Sequence, residues 1–284
     1  MTSPQVAVIQ MVSTESVSDN LQAAYRLLSD ARQRGAVLAV LPENFALFGG
    51  KAAVSWLATQ PAGSHAINEW LSDAAKTLGL WIVGGTVPWL SDEQRAAQAP
   101  VTRVYSASQV FDADGRCVAR YCKMHLFDVD VADAHGRYRE SDDFLQGDVP
   151  VVIDTPVGRL GLAICYDLRF PELFRALRAN GAELFSLPSA FTRVTTEAHW
   201  WPLIRARAIE NQCYVLAANQ GGQHNDTRET GGQSAIISPW GDALVQCQSG
   251  ESVCVAAIDR TALLEMRHRM PVHEHRRAHL FGGD

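Results

Sequence analysis

The six cysteines of this 284-residue chain, Cys117, Cys122, Cys165, Cys213, Cys247 and Cys254, include no CxxC pair. That excludes a zinc ribbon and a dithiol redox motif. No apolar run approaches the ~18 residues that a membrane-spanning helix needs. The opening MTSPQVAVIQM lacks the basic and long apolar regions of a signal peptide. A reducing, cytoplasmic compartment is therefore expected, with the cysteines as mostly buried thiols and no membrane contact. Positive charge is in deficit, 25 Lys and Arg against 31 Asp and Glu for a net charge of -6. This argues against nucleic acid as partner and for a small-molecule substrate. There is no GxSxG, no GxGxxG and no P-loop, so serine-hydrolase and nucleotide-binding readings lack support. No linker and no repeat at solenoid periods divides the chain.

Hydrophobic residues make up 47% of the sequence and charged residues 20%, enough to bury a large core. Short runs rich in Val, Ile and Leu alternate with amphipathic segments, the pattern of strands covered by helices. Val6 to Met11 reads as a strand. A helix from about Asp19 to Arg34 follows, with Leu21, Ala24, Leu27, Leu28 and Ala31 on one face and Gly35 as its stop. After a strand over Val37 to Leu41, Ser64 reads as the N-cap of a second helix striped by Ile67, Trp70, Leu71, Ala74 and Leu78, with Gly79 as its stop. Val101 to Lys123 reads as a hairpin turning at Asp112 to Gly115. His125 to Asp148 is Asp-rich and reads as a long loop. A second hairpin at Thr155 to Gly158 feeds the strand LGLAI. Helices near Pro171 to Ala179 and Trp201 to Gln212 flank a strand at Leu184, and CYVLAAN, GQSAIIS, ALVQC and VCVAAI close the core. The economical fold is a single mixed-sheet α/β domain over residues 1–284, with a core of about 4–265 and a tail of about 266–284.

Three groups stand where buried strands stop. In LGLAICYDLRFPELFR, Cys165 ends a strand just before a helix. Backbone N–H groups and a helix N-terminus there would lower a thiol's pKa and bind an oxyanion; a buried strand-end thiol fits this segment equally well. In AVLPENF, Glu43 follows a buried strand, and taken alone it reads as a carboxylate turned to solvent. In YCKMHLFD, Lys123 ends a strand among apolar neighbours, and taken alone it reads as a surface ammonium with a buried stem. The bland readings do not explain why all three share one kind of place.

The segments LPENF, KMHLFD and ICYDLRFPE, in that order, resemble the signature segments of the nitrilase superfamily of carbon-nitrogen hydrolases. The likeness runs on through AHWWPLIRARAIENQCYV, SPWGD and PVHEHRRAHLF, nearly the whole chain. It implies a four-layer αββα sandwich that dimerises through helices, pairing into a larger sandwich as a homodimer or higher homo-oligomer, with the C-terminal tail at a subunit contact. It also implies that Glu43, Lys123 and Cys165 meet in one pocket with no metal or organic cofactor. Glu140 in YRESDDF matches a further pocket glutamate; its bland reading is one more carboxylate in an acidic loop. In the implied chemistry Glu43 takes the Cys165 proton, the thiolate attacks an amide carbonyl, and Lys123 with a backbone N–H near Tyr166 meets the oxyanion. Ammonia leaves and water cleaves the thioester.

RARAIENQCYVLAANQ and GGQH resemble the branch acting on deaminated glutathione more than the omega-amidase branch, which acts on alpha-ketoglutaramate. Either substrate carries carboxylates, so a cation is expected in the pocket. The resemblance assigns Arg169 this part and puts Thr195 at a substrate contact, while a salt bridge from Arg169 to Asp167 or Glu172 is the competing reading. Carbamoyl or nitrile hydrolysis would use the same three residues. A metal hydrolase built on His268, His273, His275 and His279 has no HExxH, and Pro271 interrupts any aligning helix. A catalytically silent scaffold is opposed by the intact Glu-Lys-Cys set. The tryptophans are read as packing, with Trp56, Trp70 and Trp81 in core-like patterns.

Overall fold

The computed structural model describes residues 3–61, 63–97 and 100–281; the outermost residues of the 1–284 domain range lie outside those. The first half runs β1 (Gln5–Gln10), α1 (Val17–Gln33), β2 (Ala36–Val40), α2 (Gly50–Thr59), α3 (Ala66–Leu78), β3 (Trp81–Val83), β4 (Val87–Trp89), α4 (Asp92–Ala97), β5 (Val104–Phe111) and β6 (Cys117–Cys122). Next come β7 (Asp128–Asp130), β8 (Arg137–Arg139), β9 (Phe144–Leu145), β10 (Val152–Thr155), β11 (Gly158–Leu162), α5 (Pro171–Ala179), β12 (Leu184–Ser189), α6 (Arg193–Thr195) and α7 (Trp201–Asn211). The chain closes with β13 (Tyr214–Asn219), β14 (Gly221–Gln223), β15 (Glu229–Gly231), β16 (Ala235–Ile237), β17 (Ala243–Gln246), β18 (Ser252–Ala257) and α8 (Arg260–Arg269).

Two large sheets face each other. One has the order β18-β1-β2-β3-β5-β4, with β6 and β9 also paired to β5; the other runs β10-β11-β12-β13-β16-β17. Side-chain alternation in β1 and β2 sorts the layers. Val6, Val8, Leu38 and Val40 point to the core shared with Leu160, Leu162 and Leu216 of the second sheet. Ala7, Ile9 and Ala39 point the other way, onto Leu27 and Leu28 of α1 and Ile67 and Leu71 of α3. Helices α5 and α7 cover the outer face of the second sheet, through Phe174, Leu177, Ile204 and Ala208. The result is the four-layer αββα sandwich. Strands β1, β2 and β3 are mutually parallel, as are β11, β12 and β13, and crevices outside the carboxyl ends of parallel strands are where such sheets bind ligands.

Helix α1 starts at Val17 with Ser16 as N-cap, slightly earlier than its apolar stripe suggests, and Leu21 is only half-buried. His65, not Ser64, caps α3, its ring nitrogen accepting from Asn68 N–H, while Ser64 Oγ donates to Glu69 at 2.8 Å. Gly79 ends α3 in the left-handed conformation. Both hairpins form as the sequence suggests, Thr155 opposite Gly158 in the second. The stretch from His125 to Asp148 is not a structureless loop: Asp128–Asp130 pairs with Arg137–Arg139, a 3-10 turn follows at Glu140–Asp142, and Phe144–Leu145 joins β5. Its alternating charges hide these strands because they need no buried face. Helix α2 also escapes notice, for only Ala53 and Leu57 of it are buried. Cys117, Cys122, Cys165 and Cys213 are free thiols, and Cys247 and Cys254 lie side by side, with Cα atoms 5.8 Å apart, where β17 and β18 pack together.

Candidate active site

Strand β11 ends at Leu162, and Cys165 opens the 3-10 turn Cys165–Arg169 with φ of +44°. A non-glycine residue held there is strained, and such a bend lifts the side chain out of the sheet. Asp167 fixes the bend. Fully buried, its carboxylate accepts from Ile164 N–H at 2.9 Å, Tyr121 Oη at 2.7 Å, His125 N–H at 3.1 Å and His125 Nδ1 at 2.7 Å. Because Tyr121 and His125 flank Lys123, one carboxylate sets the register between the two segments.

Glu43 lies just past β2. Its carbonyl accepts from Gln220 Nε2 at 3.0 Å and the next N–H donates to Thr86 Oγ1 at 2.8 Å. Gly85, at φ of +51°, passes so close beneath that a Cβ would run into the Pro42 carbonyl oxygen. Lys123 follows β6, its N–H bonded to Ser106 O at 3.0 Å. The ammonium is 2.8 Å from Glu43 Oε1, and 2.8 and 2.9 Å from the two oxygens of Glu140. Glu140, opening its 3-10 turn, also accepts from Phe127 N–H at 2.6 Å. Lys123 is 1% exposed, Glu43 4% and Cys165 8%.

Burial would pull the Lys123 ammonium down, but the carboxylates of Glu140 and then Glu43 outweigh it and hold the group protonated well above its ordinary range. Burial raises Glu140, against the pull of Lys123. Cys165 departs from the sequence expectation. Burial first, then the Glu43 charge, lifts the thiol well above its usual range, and the opposing influence of Lys123 is too weak to reverse this. A single 3-10 turn offers little dipole, so Cys165 rests as a thiol.

These four side chains open onto a cavity of about 640 Å³, and Tyr166, Arg169 and Thr195 line it too. Arg169 makes no ion pair with Asp167 or Glu172. Instead its guanidinium lies over Phe191 and Tyr166, 5.5 and 5.8 Å from the ring centres, and meets His199 Nδ1 at 3.2 Å. Thr195 is tied to Thr192 through their hydroxyls at 2.9 Å. Among the described residues, no cluster of His, Cys, Asp and Glu could hold a metal. Trp200 is fully buried, its Nε1 donating to Gln233 O at 2.9 Å. Sequence reasoning missed Phe127, Tyr138, Ala190 and Arg228 in the cavity wall. The strand-end logic applied to LPSA would have reached Ala190, which follows β12; nothing in HNDTRE signals that Arg228 turns inward.

A family profile described as "Carbon-nitrogen hydrolase" matches residues 5–268. The chain is 43% identical over 277 residues to a deaminated glutathione amidase of Yersinia enterocolitica, covering 98% of this chain and 94% of that protein. Among solved structures it is similar to the C. elegans NitFhit protein, with a TM-score of 0.87 at 36% identity, covering 99% of this chain and 67% of that one. It is also similar to Saccharomyces cerevisiae Nit3, described as a member of branch 10 of the nitrilase superfamily, with a TM-score of 0.84 at 29% identity and 97% of each chain covered.

Proposed function

Because this chain belongs to the carbon-nitrogen hydrolase family and is an amidase of it, we propose that it cleaves deaminated glutathione, with Cys165 as nucleophile, Glu43 as proton carrier and Lys123 as oxyanion ligand. The observation that carries this reading is a protonated lysine, buried between two carboxylates, beside a thiol on a strained elbow in one cavity.

Glu43 removes the proton from Cys165 as the sulfur attacks the amide carbonyl, so no free thiolate need accumulate. The carbonyl oxygen gains the negative charge and is met by the Lys123 ammonium and the Tyr166 N–H. When the C–N bond breaks, Glu43 returns the proton to the departing nitrogen. The acyl group stays on sulfur as a thioester. Water, losing a proton to Glu43, adds to the thioester, and the C–S bond breaks to release a carboxylic acid and restore the thiol. Glu140 holds Lys123 in place and protonated. In deaminated glutathione the amide nitrogen belongs to cysteinylglycine, so the leaving group is that dipeptide; ammonia is the product only for a primary amide.

Arg169, with no carboxylate partner among the described residues, suits a substrate carboxylate on the acyl side, beside Tyr166 and Phe191. The name of the Yersinia enterocolitica relative supports the substrate. We further propose a cytoplasmic homodimer, built on the α5 and α7 face, where Ile209 and Trp240 remain exposed. The test of function is turnover by wild type and Cys165→Ala on deaminated glutathione, alpha-ketoglutaramate, a carbamoyl compound and a nitrile, read as released amine or ammonia. Cys165-dependent release from deaminated glutathione above the rest supports the substrate. Release from another member alone keeps the mechanism and moves the substrate, and silence across the panel refutes both.

A further inference from the structure

Arg228 precedes β15 and turns into the cavity wall. Its guanidinium donates to Tyr138 Oη at 2.7 Å and to Ala190 O at 2.8 Å, with its carbon 4.7 Å from the Tyr138 ring centre and 5.8 Å from that of Phe48. Among the described residues it has no carboxylate within ion-pair distance; the adjacent Glu229 pairs instead with Arg193 of α6 at 2.9 Å. An arginine carries five N–H donors in a rigid fork. Two are occupied and the rest have no partner among the described residues. A half-buried guanidinium in this state keeps donors free to meet an anion that enters the cavity.

Arg169 and Arg228, two of the pocket arginines without an ion pair, lie over different rings. Arg169 lies over Tyr166 and Phe191, on the elbow that carries the nucleophile. Arg228 lies over Phe48, on the segment that runs on from Glu43 through Asn44 to Lys51, and Glu43, Asn44, Phe48 and Lys51 all line the cavity. Since Glu43 hands its proton to the departing nitrogen, the amine half of the substrate must lie on that side. We propose that Arg228, seated on Phe48 and Tyr138, is a second anion subsite that grips a carboxylate on the amine half of the amide, selecting amides of carboxylate-ended amines over otherwise identical neutral ones. This rests on the amidase reading above. It gives the cavity a cation for each end of a substrate carrying a carboxylate on both sides of the scissile bond.

The test compares deaminated glutathione with the same compound bearing a carboxamide in place of the glycine carboxylate, using wild type, Arg228→Gln and Tyr138→Phe. A charged hydrogen bond of this kind corresponds to about 10- to 150-fold in kcat/KM, so wild type favours the acid by that factor, mostly through KM. Arg228→Gln abolishes the preference, whereas Tyr138→Phe, which loses the hydroxyl contact on β8 but keeps the cation, retains it. With wild type alone, cysteinylglycine inhibits more strongly than cysteinylglycinamide, a measurement that requires no variant to fold. Equal losses on both substrates in Arg228→Gln, reproduced by Tyr138→Phe, would show that Arg228 only fastens the β7–β8 hairpin and would overturn the subsite. Wild type that cleaves acid and carboxamide alike also overturns it, leaving the amidase reading intact. Wild type that cleaves neither overturns the substrate reading and this subsite with it.

Discussion

Replacing Glu140 by Gln separates a positioning carboxylate from a proton-transferring one. Glu140 accepts two bonds from Lys123 Nζ, at 2.8 and 2.9 Å, and one from Phe127 N–H at 2.6 Å. Glutamine keeps the shape but turns one acceptor into an NH2. The least costly orientation leaves oxygen at the Oε2 position, where both donors still reach it, and sets the NH2 against the ammonium. The Coulomb attraction lost with the charge is about 6 kcal/mol at the observed 2.8 Å for an effective dielectric constant of about 20, a ceiling because the buried carboxylate no longer has to be desolvated. The net loss is that of one hydrogen bond to a charged group, about 1.5–3 kcal/mol. In the proposed cycle Lys123 meets the oxyanion only once it forms, so the loss is expected to fall on kcat, by about 10- to 150-fold, with KM nearly unchanged. The pH profile shifts in a definite sense. Burial opposes the Lys123 charge and Glu140 is the stronger of the carboxylates sustaining it, so in the variant the ammonium deprotonates at lower pH and the alkaline limb of kcat moves acidward. Steady-state kinetics of both proteins from neutral to alkaline pH check this. A raised KM with unchanged kcat, or coincident alkaline limbs, would refute the positioning role.

Gly85→Ala forces a Cβ against the Pro42 carbonyl at a left-handed φ, and is expected to destabilise by about 1–3 kcal/mol and to depress turnover by moving Glu43; thermal unfolding and kcat read the two effects. Asp167→Asn replaces an acceptor that serves four donors, and urea unfolding should show about 1–3 kcal/mol lost. The Cys213 thiol is pushed up to about 12 from an ordinary 9.0 by burial, partly opposed by Arg267. The folded chain therefore holds this proton where the unfolded chain has released it, and stability falls as pH rises above 9.0 toward about 12. Wild type should lose Tm more steeply than Cys213→Ala over that window, and parallel slopes would refute the attribution.

Much of this was legible in the sequence because burial leaves a period. The stripes of α1 and α3, the hairpins and the strand at Cys165 all follow from apolar spacing, and Glu43, Lys123 and Cys165 were visible as polar or ionisable groups sharing one kind of place, where apolar strands stop. What spacing cannot carry is a contact made across the fold. Arg228 reaches Ala190 O and Tyr138 Oη from a turn of polar residues, and a turn's composition does not say which way it points. Asp167 read as a partner for Arg169 by proximity in sequence, yet Ile164, Tyr121 and His125 take its oxygens, because a fully buried carboxylate binds the donors that burial leaves unpaired. The thiol's pKa was misjudged for a related reason. A helix N-terminus is legible in a sequence, but depth of burial and the approach of Glu43 are properties of the assembled site.

That raised thiol makes sense when charge is followed through the proposed cycle. At rest Lys123 is flanked by Glu43 and Glu140, two anions around one cation in a nearly dry site. Moving the proton from Cys165 to Glu43 neutralises one of those anions and creates another on sulfur, whose charge also acts on Lys123. Attack passes that charge to the carbonyl oxygen, again beside the ammonium, and collapse returns it to Glu43 once the amine has left with the proton. The pocket groups keep the same total charge at each stage, so no step has to desolvate a new ion, which is the costly event in a buried site. A thiolate formed in advance by losing its proton to solvent would add a third negative charge beside Glu43 and Glu140 with only Lys123 to offset them. The high thiol pKa, raised by burial first and then by the Glu43 charge, thus fits the proposed cycle, in which proton transfer from Cys165 accompanies substrate attack.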